Sequence, residues 1–95
     1  MDRKVYDLVR KIPKGKVSTY GSIGKVLGLN PRVVGRILGK NIDLEGIPCY
    51  RVVCGDGRIG GYVLGGEVKA RLLGEDCVGV VNEKVLKFKE KLFKF

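Results

Sequence analysis

The sequence predicts a mainly α-helical domain with short extended segments: a helix-turn-helix of winged-helix type, followed by a loop that presents a cysteine. Three observations predict it. Two segments with apolar residues at helical spacing meet at Gly28-Leu29-Asn30-Pro31, where a left-handed cap residue is followed almost at once by a helix-starting Asn-Pro pair. The stretch Leu8–Ile42 holds eight lysines and arginines and no acidic residue. Beyond it, glycine pairs cut the chain into short pieces around Pro48-Cys49. At 95 residues, positions 1–95 read as a single domain with one modest core.

The elements follow in order. Asp2 can cap a first helix whose apolar positions Val5, Leu8, Val9 and Ile12 share a face, and Pro13 with Lys14-Gly15 ends it. Val17-Ser18-Thr19 is an extended entry. Thr19 or Ser18 then caps a second helix over Tyr20–Leu27, with Ile23, Val26 and Leu27 inward and Gly28 at its C-terminal cap. Asn30 caps a third helix over about Pro31–Lys40, which completes a helix-turn-helix at about 19–40. After a polar loop at Asp43–Ile47, Tyr50–Cys54 reads as extended and Gly55-Asp56-Gly57 as a tight turn. Gly60-Gly61 and Gly65-Gly66 bracket a flexible loop at 60–66, and a fourth helix spans Glu67–Leu73, closed by Gly74. Cys77–Val81 fits no single pattern. Asn82 is expected to cap a final amphipathic helix at about 82–95 carrying Val85, Leu86, Phe88, Leu92 and Phe93.

Composition narrows the chemistry. The chain has 19 Lys+Arg against 10 Asp+Glu and no histidine. That excludes a Ser-His-Asp triad, an HExxH or Cys₂His₂ zinc site and any imidazole base. Three cysteines without CxxC spacing (Cys49, Cys54 and Cys77) argue for a reducing compartment and against a metal site; no cofactor is expected. Apolar runs are far too short for a membrane span, and no secretion signal is seen, so the expected location is cytoplasmic and nucleoid-associated. The lysine-rich tail 83–95 could lie on a membrane surface, but packing against the domain is the reading adopted, with no membrane partner. Outside Leu8–Ile42 the signs nearly balance, so the excess charge belongs to the helix-turn-helix, and its clustering points to nucleic acid.

Two features mark a site. Gly35 and Gly39 share one face of the third helix, at a cost of about 1 kcal/mol each relative to alanine. Close packing against a neighbouring helix and approach to a narrow nucleic-acid groove both explain them. Cys49, just after a proline in a loop, suits an accessible nucleophile, whereas Cys54 and Cys77 lie among valines and are expected to be buried and inert.

At Ile47-Pro48-Cys49-Tyr50-Arg51-Val52-Val53 the chain resembles the Pro-Cys-His-Arg-Val signature of the O6-alkylguanine-DNA alkyltransferases, with Tyr50 in the histidine's place. Val17-Ser18-Thr19-Tyr20-Gly21 resembles that family's entry to the helix-turn-helix, and Arg32-Val33-Val34-Gly35 its recognition helix. Asn41 falls in the hinge before the cysteine, and Gly60-Gly61-Tyr62 with Gly65-Gly66 resembles the lid loop. The resemblance implies stoichiometric repair: a monomer binds double-stranded DNA in the minor groove, flips out an O6-alkylguanine, and transfers the alkyl group to Cys49. It implies Arg32 as the finger that fills the gap, Tyr20 crowding a phosphate to favour flipping, and Asn41 orienting the cysteine loop. Thr19, Gly35, Arg36, Gly39, Lys40 and Arg51 complete the expected DNA-facing set, with Tyr62, Val63 and Gly65 walling the base pocket. Tyr50 would relay a proton from the cysteine toward Glu75 or Asp76. The chain is similar in size to the alkyltransferase-like proteins, which bind alkylated guanine without transfer but replace the cysteine that is retained here. Val63-Leu64 also stand where the family has small or hydroxylated residues. A sequence-specific repressor is disfavoured, because Gly35 and Gly39 leave the third helix few side chains for reading base edges.

Overall fold

A computed structural model describes residues 2–95 and orders them as a helical half followed by a half of short pieces. Helix α1 (Asp2–Arg10) starts with Asp2 already inside the helix and buries Val5, Leu8 and Val9. Strand β1 (Ser18–Thr19) runs directly into α2 (Tyr20–Leu27). The Thr19 hydroxyl accepts from the backbone N–H of Ser22 at 3.0 Å, and Gly28 closes α2 in the left-handed conformation, φ 70°. The turn into α3 (Pro31–Gly39) is so tight that a Cβ on Gly24 would collide with the carbonyl oxygen of Leu29. Asn30 caps α3 by accepting from the N–H of Arg32 at 2.9 Å. Lys40 stands at the C-terminal cap.

A 3₁₀ turn (Cys49–Arg51) leads into β2 (Val52–Val53), where the sequence suggested one extended segment over Tyr50–Cys54. Strands β1 and β2 pair in parallel, Ser18 opposite Val52 and Thr19 opposite Val53. This two-residue ladder positions the site: it ties the start of α2 to the end of the cysteine turn. Helix α4 (Gly66–Glu75) passes through Gly74 instead of stopping there. The left-handed stop falls to Cys77, φ 65°, and the N–H of Val78 returns to the Leu73 carbonyl at 2.8 Å.

The expected helix at 82–95 is not formed. Strands β3 (Val80–Val81) and β4 (Lys84–Val85) make an antiparallel hairpin, and only Phe88–Lys91 is helical, as α5. Asn82 and Glu83 both take positive φ, 51° and 63°, as a two-residue hairpin turn requires, so Asn82 serves a turn and not a cap. Lys87, φ 54°, blocks any helix from running back to the hairpin. The tail does pack on the domain: Val17 donates to the Lys91 carbonyl at 2.9 Å and accepts from Phe93 at 2.8 Å.

Two buried clusters result where one core was expected. One joins α1, α2, α3 and the cysteine turn; the other joins Val17, Val53, Ile59, Leu73, Val78 and Val85. Val26, expected inward, is 53% exposed. Cys54 is half-buried and Cys77 exposed, which corrects their assignment to the core: Cys54 lies just beyond β2, and Cys77 occupies a surface turn.

Candidate functional site

Cys49 is buried, not openly accessible, and forms part of a cavity of about 430 Å³. Its position is held by the buried Asn41, whose Nδ2 donates to Cys49 Sγ at 3.4 Å and to the Ile47 carbonyl at 3.2 Å. Asn41 Oδ1 accepts from the N–H of Asp43 at 2.9 Å, so the amide is committed on both sides. Hydrogen bonds from the N–H of Cys49 to the Ile47 carbonyl, 2.7 Å, and from Arg51 to Pro48, 3.0 Å, shape the turn.

The other walls come from α2, α3 and the lid. Tyr20, Leu38, Gly35 and Gly39 line one side, and Gly60, Gly61, Tyr62 and Val63 the other. The two α3 glycines do not press against a neighbouring helix. A Cβ on Gly39 would meet nothing within 4 Å, and one on Gly35 would only touch the Tyr20 ring at 3.8 Å. Tyr62 and Val63 thus stand where expected, but Gly65 does not reach the cavity; it precedes α4 at φ 99°, where its conformation starts the helix. A second cavity of about 800 Å³ adjoins at Cys54 and Gly60 and does not include Cys49.

Behind the cysteine turn lies a charged network. Tyr50 donates through its hydroxyl to Asp76 Oδ2 at 2.8 Å, and Arg51 Nε donates to the same oxygen at 2.7 Å. Arg51 Nη1 also donates to the Ile12 carbonyl at 2.9 Å. Arg51 therefore points inward and is removed from the DNA-facing set, because Asp76 offers a buried carboxylate that needs a partner. Of the two candidate carboxylates, Asp76 is brought to Tyr50. Glu75 is on the surface, with Arg71 at 3.9 Å. Burial, and then the bond to Asp76, raises the pKa of Tyr50, so near neutral pH it is a donor and not a base.

The basic surface is a free face of α3. Arg32, Arg36 and Lys40 are exposed, and among the described residues none of them makes an ion pair. Arg32 projects from the first turn. Thr19 does not join them: it is buried and its hydroxyl is spent on capping α2. Tyr20 is half-buried, and burial pushes its hydroxyl up to a pKa of about 12.

Sequence reasoning missed Lys69. It is fully buried, and its ammonium donates to Val52 O at 2.8 Å, Gly61 O at 3.1 Å and Tyr20 Oη at 3.4 Å. The available signal was its spacing, four residues before the inward Leu73 on α4. Among the described residues, no group of His, Cys, Asp and Glu gathers as a metal site, and no helix is long and apolar enough to cross a membrane.

Comparison with known proteins places these features. The chain is 41% identical over 83 residues to the bifunctional methyltransferase/endonuclease of Picrophilus torridus, an alignment covering 85% of this chain and 28% of that protein. It is 49% identical over 70 residues to the methylated-DNA–protein-cysteine methyltransferase of Metallosphaera sedula, covering 74% of this chain and 44% of that protein. It therefore spans less than half the length of these two relatives. The crystal structure of S. pombe Atl1 in complex with damaged DNA containing O6-carboxymethylguanine superposes with a TM-score of 0.87 at 30% identity, over 99% of this chain and 94% of that one. Residues 1–78 match the family model described as 6-O-methylguanine DNA methyltransferase, DNA binding domain. By that match and these identities, the chain belongs to the 6-O-methylguanine DNA methyltransferase family, in which it corresponds to the DNA-binding domain.

Proposed function

We propose that this chain repairs DNA by taking the alkyl group of an O6-alkylguanine onto Cys49. The observation that carries the reading is the placement of Cys49 Sγ: held by Asn41, in a cavity walled by a glycine-lined helix face and a lid. The α3 face brings Arg32, Arg36 and Lys40 to phosphates, and the bare stripe at Gly35 and Gly39 suits a narrow groove, here the minor groove. Arg32 fills the gap left by the flipped base, which enters between Tyr20 and Tyr62. The Atl1 structure in complex with damaged DNA supports DNA bearing an O6-alkylguanine as the partner.

In the transfer step the Cys49 thiolate attacks the alkyl carbon. A sulfur–carbon bond forms, the carbon–O6 bond breaks with its electron pair left on oxygen, and the guanine takes up one proton. The proton that Cys49 gave up leaves to solvent. The thioether that results has no leaving path at neutral pH, so each molecule turns over once.

A second reading, lesion binding without transfer, is favoured by one observation. The chain has no histidine, and the Tyr50 hydroxyl beside the cysteine turn is committed to Asp76. Mass spectrometry after mixing with a duplex containing O6-methylguanine separates the two. A methyl group on the Cys49 peptide is the expected result; tight binding of the lesion with Cys49 unmodified establishes the second reading, and no preference for the lesion defeats both.

A further inference from the structure

A groove of about 330 Å³ lies between the outer face of α2 and the C-terminal tail, and no step above uses it. Val26, Leu92, Phe93 and Phe95 give it an apolar lining, and Lys25 and Lys94 bring one cation from each side. The tail is fixed in place, because Val17 holds it through the Lys91 carbonyl and the Phe93 N–H. Phe95, 40% exposed, stands edge-on to Phe93 with the ring centroids 5.5 Å apart, so the groove has a defined aromatic wall. Both lysines are exposed, and among the described residues neither makes an ion pair. No carboxylate side chain lines the groove.

The groove is separate from the cavity that holds Cys49, and no residue lines both. Each residue of a helix turns by about 100°, so Lys25 and Val26 point about 140° and 240° round α2 from Tyr20, which lines the cysteine cavity.

An exposed apolar patch rimmed by polar groups marks an interaction site, and here charge and shape select the occupant. A second copy of this chain would set lysines against lysines at a net charge of +9. A phosphate backbone would answer Lys25 and Lys94 but leave Val26 and Phe95 in water. A lipid surface takes up protruding apolar side chains, whereas this site is concave.

We propose that the groove docks an acidic segment of a partner protein, with one large apolar side chain against Val26, Phe93 and Phe95 and flanking carboxylates on Lys25 and Lys94. Because the two sites are separate, a chain with its α3 face on DNA can hold this partner at the same time. The inference does not depend on whether Cys49 accepts an alkyl group.

The test titrates the protein into a fluorescein-labelled peptide, Glu-Asp-Asp-Phe-Asp-Glu, and reads anisotropy. Binding is expected below about 1 mM. Lys25→Glu and Val26→Asp should each weaken it about tenfold, as should alanine in place of the peptide's phenylalanine. Both altered side chains are exposed, so the fold survives each change. Arg71→Glu makes the same charge change on the exposed face of α4 and should alter binding by less than about twofold. No binding at about 1 mM overturns the proposal. So does a loss in Arg71→Glu equal to that in Lys25→Glu, or indifference to the peptide's phenylalanine, since either reduces the contact to general attraction by a basic protein. Peptide and a DNA duplex are expected to bind together. Displacement of the peptide by the duplex, or by phosphatidylglycerol vesicles, assigns the groove to DNA or to a lipid surface and overturns the proposal.

Discussion

At the scale of residues, the site depends on how few alternatives Asn41 has. Its amide donates to both Ile47 O and Cys49 Sγ and accepts from Asp43, all in a buried position. Alanine at this position would leave the Asp43 N–H without its partner and take one of two donors from the Ile47 carbonyl, a cost of about 1–3 kcal/mol. For a domain of this size each kcal/mol moves Tm by about 4–8 °C. Asn41→Ala is therefore expected to lower Tm by several degrees in calorimetry. It should also slow the proposed methyl transfer to Cys49, because the turn that carries the sulfur loses its brace; an unchanged rate per folded molecule would remove Asn41 from the site. The motif resemblance singled out Asn41 and Cys49, and local chain geometry brings the two side chains together. It could not choose between Glu75 and Asp76. That choice depends on the last turn of α4, which directs Asp76 inward toward Tyr50 and Arg51 and leaves Glu75 on the surface.

At the scale of elements, α3 combines two demands that pull apart. Glycine at position 39 weakens the helix, yet a Cβ there would meet nothing within 4 Å, so the fold does not require it. Gly39→Ala is expected to raise stability by up to about 1 kcal/mol in urea unfolding while weakening DNA affinity, because the added methyl stands on the face proposed to meet the groove. If DNA binding is untouched, that face is not the one DNA meets. Helix α2 was legible to the residue and α3 to within one residue, because their ends are written in side chains: Thr19, Gly28 and Asn30-Pro31 each satisfy or stop a backbone ladder locally. The C-terminal part was not. Asn82 is as good a helix cap as a left-handed turn residue, and only the burial of Val85 and the tie between Val17 and the tail decide between them. Strands of two residues carry no periodicity to read. Arg51 was misplaced for the same reason: its partner lies 25 residues away.

At the scale of the whole molecule, a buried lysine and a half-buried tyrosine beside the cysteine cavity shape stability with pH in opposite senses. Lys69 has a folded pKa of about 8 against an ordinary 10.5, so between those values the unfolded chain binds the extra proton. Stability therefore rises with pH across that window, and the burden of a buried ammonium, about 3 kcal/mol, is carried in full below pH 8. Tyr20 has a folded pKa of about 12 against 10.0, so above pH 10 the unfolded chain loses its proton first and stability falls. The expected curve, from urea unfolding under reducing conditions, climbs above about pH 8, peaks near pH 10 and then declines. The net charge of +9 complicates the climb, because exposed lysines also lose charge at high pH and relieve self-repulsion. Lys69→Met separates the two contributions: it leaves the exposed lysines unchanged and should flatten the rise between about pH 8 and 10. An equally steep rise in that variant would mean the climb comes from surface repulsion. The buried ammonium would then cost the fold little, its three acceptors making up for the water it gave up.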